Sequence, residues 1–245
     1  GDAFDSVMNY KLSFALGDLF LNKGDAKAAD YELTVLRQNY PKEAFYDLMN
    51  IVDSHDTVRA IYKFGGGSDS VAQPTKKDFD YDLGKARLKL AATFLMGYPG
   101  MPTVYYGDEA GQYGSSDPDC RRTYPWGHED QDLIAHYQKV ISVRNSHKAL
   151  FAHGDVNTLK AEGDIYAFAR TAVDGSGQIP HRFLLLQNLG GGCPSLSQTV
   201  QIPLCPGKSF GQGFSVLPRL FKLCLGKLFL YRRFGFRGGL SHCTS

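Results

Sequence analysis

The chain has 245 residues, 43% of them hydrophobic, with 27 basic against 25 acidic residues and a formal net charge of +2, enough for one large domain or two small ones. Its longest apolar stretches fall far short of the ~20 residues that cross a bilayer, which excludes a membrane-spanning class; a soluble protein is expected, with the compartment, extracellular or cytoplasmic, left open. The positive excess sits at one end, because residues 190–245 hold seven Lys and Arg and no Asp or Glu, leaving residues 1–189 at a net −5.

In chain order, residues 11–20 and 26–39 have helical periodicity, broken by Asn22-Lys23-Gly24-Asp25 and ended by Tyr40-Pro41. Leu48, Met49, Ile51 and Val52 then form an apolar run too short for an ordinary helix, and Asp53, His55, Asp56 and Arg59 follow its end. A strand that runs straight into polar side chains is the layout of a (β/α)8-barrel active site, where catalytic groups collect at the C-terminal ends of the strands. Gly65-Gly66-Gly67-Ser68-Asp69 opens a polar loop that runs to Asp82; it lacks the Lys-Ser/Thr of a phosphate loop, so nucleotide binding is not supported. A second unit repeats the plan: an apolar amphipathic helix over 83–96, a turn through Gly97-Tyr98-Pro99-Gly100-Met101-Pro102, a strand over 103–106, then Gly107-Asp108-Glu109. Residues 131–145 predict a helix with Leu133, Ile134, Tyr137, Val140 and Ile141 on one face. After Leu150 the period changes to two, predicting strands over 155–159, 165–171 and 183–188 with a hairpin turn at Asp174-Gly175-Ser176-Gly177.

Ser54-His55-Asp56-Thr57 after Met49-Asn50-Ile51, with Gly100-Met101-Pro102-Thr103-Val104-Tyr105-Tyr106-Gly107-Asp108-Glu109 downstream, resembles the α-amylase family of glycoside hydrolases, most closely its neopullulanase, cyclomaltodextrinase and amylopullulanase branch. Phe4-Asp5-Ser6-Val7-Met8-Asn9-Tyr10, Asp117-Pro118-Asp119-Cys120-Arg121-Arg122-Thr123-Tyr124-Pro125-Trp126, and Gln131-Asp132-Leu133 leading to Arg144 agree in order and spacing, so the likeness covers roughly residues 1–189. It implies an α/β fold in which residues 1–150 are the C-terminal part of a TIM barrel, about strands 6 to 8. Residues 151–189 would then begin an all-β sandwich domain. It also implies retaining hydrolysis of α-1,4 and α-1,6 bonds in starch, pullulan or cyclodextrins. The family's chemistry uses three carboxylates, and only the third has a counterpart here, Asp56. The Gly-x-Arg-x-Asp segment of the nucleophile and the segment of the acid/base Glu are not among these residues, so the chain alone is expected to be inactive. The other class of reading is a non-catalytic fragment that binds glucan, or a basic-tailed one that binds polyanions.

The resemblance carries roles over residue by residue. Asp56 is the transition-state stabiliser: an ionised carboxylate accepting from two ring hydroxyls suits a distorted, oxocarbenium-like sugar, and His55 donates to a neighbouring hydroxyl. Against this stands the plainer possibility that Asp56 caps a helix over 57–62. Asp117 and Arg121 match a pair that binds a glucose unit one step along, since a guanidinium offers paired donors and a carboxylate paired acceptors to vicinal hydroxyls; an ordinary loop ion pair is the alternative. Arg59 is expected in a supporting salt bridge and Asp53 in orienting a backbone turn. Asp108 and Glu109 are expected either in sugar contact or in a buried network with Arg121 or Arg122. Of the aromatic residues from Tyr98 to Trp126, Tyr124 and Trp126 are the candidates for stacking on sugar CH faces. His128, His136, His147 and His153 lack metal-ligand spacing. No metal or other cofactor is expected in this chain, with calcium left open for a full-length parent; the partner is an α-glucan, with no nucleic acid and no membrane.

The tail over 190–245 is foreign to what precedes it: Lys208, Arg219, Lys222, Lys227, Arg232, Arg233 and Arg237 without one acid, and four of the five cysteines, Cys193, Cys205, Cys224 and Cys243. Taken at face value, residues 220–236 are a basic, aromatic-rich amphipathic stretch suited to anionic lipid or nucleic acid. A frameshifted reading frame explains the abrupt change within an expected β domain better. The cysteines permit several pairings and support none.

Overall fold

A computed structural model describes residues 5–21, 25–163, 165–172 and 181–188. The expected turn at 174–177, the tail over 190–245 with its four cysteines, Phe4 of the first motif, and Asn22 to Gly24 lie outside the described residues.

Three short strands, β1 (Met8–Asn9), β2 (Met49–Asn50) and β3 (Met101–Pro102), pair in parallel in that order, with Met8, Met49 and Met101 in register. Parallel neighbours need a crossover. Between β1 and β2 it consists of α1 (Tyr10–Phe20), α2 (Ala26–Gln38) and α3 (Lys42–Tyr46), and between β2 and β3 of α4 (Ala60–Phe64) and α5 (Tyr81–Gly97). After β3 come two single 3-10 turns, Asp108–Ala110 and Asp119–Arg121, then α6 (Gln131–Ser146) and α7 (Lys148–His153). Finally β4 (Asp155–Glu162), β5 (Ile165–Ala172) and β6 (His181–Asn188) form an antiparallel sheet.

The long helices start where the chain supplies a carboxylate or amide cap. Asn9 accepts from Leu12 N–H, Asp25 from Ala28, Asp80 from Leu83 and Asp130 from Leu133, at 2.9–3.1 Å, each satisfying an orphan donor of a first turn. The parallel strands are tied by buried amides as well as backbone: Asn9 Nδ2 donates to Asn50 Oδ1 at 2.8 Å, and Asn50 Nδ2 to the Pro99 carbonyl at 2.7 Å. Gly100 is required there, because its φ is 115° and a Cβ would sit 2.4 Å from Asn50 Nδ2.

Among the described residues one apolar core runs from Leu12, Leu16 and Leu33 past Phe45 and Leu88 to Leu133, Tyr166 and Phe168. Helix α5 is its axis: Phe94 stacks on Tyr98 at 4.9 Å and meets Phe168 edge-on at 5.3 Å. The helix expected as amphipathic over 83–96 is therefore buried on every side from Leu90 to Gly97. The strand expected over 103–106 falls earlier, at Met101–Pro102. Met101 and Thr103 donate to Leu48 and Asn50, and the ladder stops because its partner strand ends at Asn50 and bends at Val52. Ile141, expected on the core face of α6, is 38% exposed beside a groove of about 420 Å³ lined by Val104, Tyr106 and Tyr137. Among the described residues no helix is long and apolar enough to cross a membrane.

Candidate active site

The loop after β2 is held in shape by its own polar side chains. Ser54 N–H donates to Thr57 Oγ1 at 2.9 Å, Asp56 N–H to Ser54 Oγ at 3.1 Å, and Ser13 Oγ grips the Val52 carbonyl at 2.6 Å. This turn lifts His55 and Asp56 into solvent, with side chains 49% and 56% exposed.

The second candidate pair is brought to the same place from 65 residues away. Arg121 Nη2 stands 3.3 Å from Asp56 Oδ1, and its Nε 2.5 Å from Asp117 Oδ1; His55 Nε2 lies 3.3 Å from the same oxygen of Asp56. Imidazole, carboxylate, guanidinium and carboxylate thus form one exposed chain of alternating donors and acceptors. The capping alternative for Asp56 does not hold. Helix α4 begins at Ala60, later than the expected 57, and it is Asp53 Oδ2 that accepts the Ala60 N–H, at 2.7 Å.

Arg59 is fully buried beneath this cluster and touches three segments at once. Its Nε donates to the Cys120 carbonyl at 2.7 Å, its Nη1 to the Tyr106 carbonyl at 2.6 Å, and its backbone N–H to Gly114 at 3.1 Å. Its guanidinium carbon lies 3.9 Å from the centre of the Tyr105 ring and 4.7 Å from that of Tyr106, and Asp108 Oδ1 is 3.4 Å from Nη1. The expected link from Asp108 to Arg121 or Arg122 is not made. Arg122 is already held by Asp119 three residues before it, at 2.9 Å, and Asp108 points inward at 2% exposure. Burial and the neighbouring Asp53 push the Asp108 carboxyl well above the usual carboxylate range, and burial also raises Asp53. Glu109 turns back to accept the Gly107 N–H at 3.0 Å.

Two contributors escaped the sequence reading. Tyr10 Oη reaches Ser54 Oγ at 3.0 Å and Asp56 Oδ2 at 3.4 Å, and Cys120 Sγ donates to the His55 carbonyl at 3.1 Å. Tyr10 follows β1 directly, so the rule applied to β2, that chemistry sits just past a parallel strand, would have found it. Nothing in the sequence marks Cys120.

Of the aromatic residues, Tyr98 is core, whereas Trp126 is 79% exposed with its ring 4.5 Å from that of Tyr124. His136 bonds Thr93 and the Lys89 carbonyl on α5, and burial lowers its pKa. Among the described residues no group of three or more His, Cys, Asp or Glu is arranged to hold a metal ion.

Residues 1–151 match the family described as alpha amylase, catalytic domain. The chain is 46% identical over 186 residues to an amylopullulanase of Thermoanaerobacter thermohydrosulfuricus, covering 71% of this chain and 12% of that one. It is 36% identical over 222 residues to neopullulanase 2 of Thermoactinomyces vulgaris, covering 86% and 32%. Among solved structures, a cyclomaltodextrinase superposes with a TM-score of 0.61 at 33% identity, over 76% of this chain and 28% of that one. A cyclic α-maltosyl-(1→6)-maltose hydrolase from Arthrobacter globiformis gives 0.62 at 25% identity, over 76% and 38%. The chain thus spans a small part of the length of these relatives. With its strand-helix units, its parallel strands and this match, the chain belongs to the α-amylase family of TIM-barrel glycoside hydrolases.

Proposed function

We propose that residues 1–150 are the part of an α-glucan hydrolase barrel that carries strands 6 to 8, and that β4 to β6 begin an all-β domain over 151–189, followed by an atypical tail over 190–245. In this reading Asp56 stabilises the transition state, His55, Asp117 and Arg121 bind glucose units, and Arg59, Asp108 and Glu109 support them. The relatives named for pullulan and cyclomaltodextrin point to α-1,4 and α-1,6 glucosidic bonds, cleaved with retention.

The observation that carries this is the exposed chain from His55 through Asp56 and Arg121 to Asp117, past the C-terminal ends of parallel strands. Vicinal sugar hydroxyls each donate and accept. A carboxylate offers only acceptors and a guanidinium only donors, so the pair meets both needs of a diol. Asp56 shares one oxygen with His55 and Arg121, and its other oxygen is approached, among the described residues, by Tyr10 alone at 3.4 Å. That second oxygen is available to a ring hydroxyl, and an interaction tightened as the ring distorts acts on the transition state more than on the ground state.

None of these groups is a nucleophile or proton donor in the family pattern, so the 245-residue chain should release no reducing sugar from soluble starch or pullulan. Release would show that the two carboxylates thought to be missing are present. In a chain extended to carry the fourth- and fifth-strand segments, Asp56→Asn should lower kcat/KM by ~10² to 10³. Undiminished cleavage by that variant would remove Asp56 from the mechanism.

A further inference from the structure

Under the exposed cluster, two carboxylates and one guanidinium are shut away from water: Asp53, Arg59 and Asp108 are 3%, 0% and 2% exposed. With both acids ionised the group would carry a net negative charge in the interior, a costly state. Arg59 can offset one of them. Its best hydrogen bonds go to the Cys120 and Tyr106 carbonyls, and its contact with Asp108 is long. The other titratable groups facing the pair are Tyr105, Tyr106 and Cys120 around the guanidinium, Glu109 next in the chain, and Tyr137 from α6. They are phenols, a thiol and a further acid, and none supplies a second positive charge.

The hydrogen bonds repeat the problem. Asp53 Oδ2 accepts from Ala60 N–H, but Asp53 Oδ1 is buried and has no donor among the described residues, and the Asp108 carboxyl lies within hydrogen-bonding reach of Asp53. Two ionised carboxylates have only lone pairs to offer each other; one protonated acid supplies the missing donor. Asp53 is the better anion, since it already accepts a backbone N–H at the start of α4. Asp108 is the better acid, pushed furthest upward by burial.

We propose that Asp108 keeps its proton in the folded protein at neutral pH and donates it to Asp53, so that Asp108, Asp53 and Arg59 form a neutral buried clip that positions the loop bearing His55 and Asp56. The clip joins the start of α4 to the Tyr106 and Cys120 carbonyls, and Cys120 in turn holds the His55 carbonyl. Asp108 is here a positioning residue. What it positions rests on the proposed function; its protonation does not.

The test uses the 245-residue chain with its aspartate carboxyl carbons labelled with 13C. At pH 7 one aspartate should resonate as a neutral acid, and that signal should be missing from Asp108→Asn. Thermal stability should fall as pH rises through the Asp108 titration in the native chain, whereas Asp108→Asn, a donor that cannot ionise, should lose that limb. Binding of maltooligosaccharide should fall roughly tenfold in Asp108→Ala, which leaves Asp53 without its donor, and should be rescued in Asp108→Asn. All aspartates ionised at pH 7 would overturn the proposal, as would equal glucan affinity in Asp108→Ala and the native chain. If Asp108→Ala does not fold, the labelled native chain and Asp108→Asn still decide. A neutral aspartate in a chain that binds no maltooligosaccharide would keep the proton and defeat the glucan reading instead.

Discussion

Arg170 shows how much one buried side chain can hold. It is fully buried, and it donates to four carbonyls at the ends of two helices: Gly97 at 3.0 Å on α5, and Leu150, Phe151 and Gly154 at 3.3, 3.0 and 2.7 Å on and after α7. The last carbonyls of a helix have no partner within it and carry its negative end, so a guanidinium serves them doubly. Arg144 from α6 likewise donates to the Met96 carbonyl in the last turn of α5 at 2.7 Å, and to the Gly100 carbonyl in the turn beyond it at 2.8 Å. Arg170→Met keeps the apolar stem and deletes the donors, and it should cost about 3 kcal/mol in urea unfolding because several buried acceptors lose their partners together. A loss below about 0.5 kcal/mol would mean that water replaces the guanidinium there. None of these partners is local to Arg170 in sequence. That is why an arginine within the alternating pattern of β5 gives no hint of its task, and why Asp108 suggests Arg121 or Arg122 as a partner when the structure supplies Arg59.

At the scale of elements, α4 and α5 approach so closely that Gly84 has no room for a side chain. A Cβ there would lie 2.1 Å from the Ile61 carbonyl oxygen and 3.1 Å from Gly65 N. Helix propensity alone would make Gly→Ala stabilising by about 1 kcal/mol. Gly84→Ala should instead destabilise by about 1–3 kcal/mol in a chemical melt, because backbone cannot give way as a flexible side chain can. A gain in stability would show that the two helices can separate at little cost. Elements defined by signals within a few residues were legible: α1, α2, α5 and α6 begin beside caps and follow a 3.6-residue period, and β4 and β5 alternate. The short elements were not. Met101–Pro102 rather than 103–106 is a strand only because β2 ends where it does, and α4 starts at Ala60 because Asp53, seven residues back, supplies the acceptor.

For the whole molecule, stability across pH follows from where acids are paired and where they are buried. Lys85 and Lys89 on α5 meet Asp130, the cap of α6, and Asp132 in its first turn at 2.5–2.9 Å. Hydrogen bonds from Lys89 and then Lys85 hold Asp132 down at about 2; burial alone would raise Asp130, but the Lys85 bond and the N-cap bonds outweigh it and lower it. Both acids titrate lower folded than the ~3.9 of an unfolded chain, so their contribution is present above that value and is lost as pH falls toward 2. Asp132 is well exposed, so Asp132→Asn should flatten the acid limb of a thermal melt by only about 0.5 kcal/mol; an unchanged limb would mean that solvent screens the pair entirely. Asp108, with its raised value, acts oppositely, and its contribution declines as pH rises.

The sequence by itself determined the family, the long helices, the change to an alternating pattern, and the choice of His55, Asp56, Asp117 and Arg121, which the structure brings into one exposed chain, because strand ends, caps and periodicity are written within a few neighbouring residues. Only the tertiary structure decided that Tyr10 and Cys120 join the site, that Asp53 rather than Asp56 serves α4, and that Arg59 meets Asp108. Those pairings cross 44 to 65 residues or turn on which side chains lose contact with water, and both are consequences of packing, which no local signal encodes.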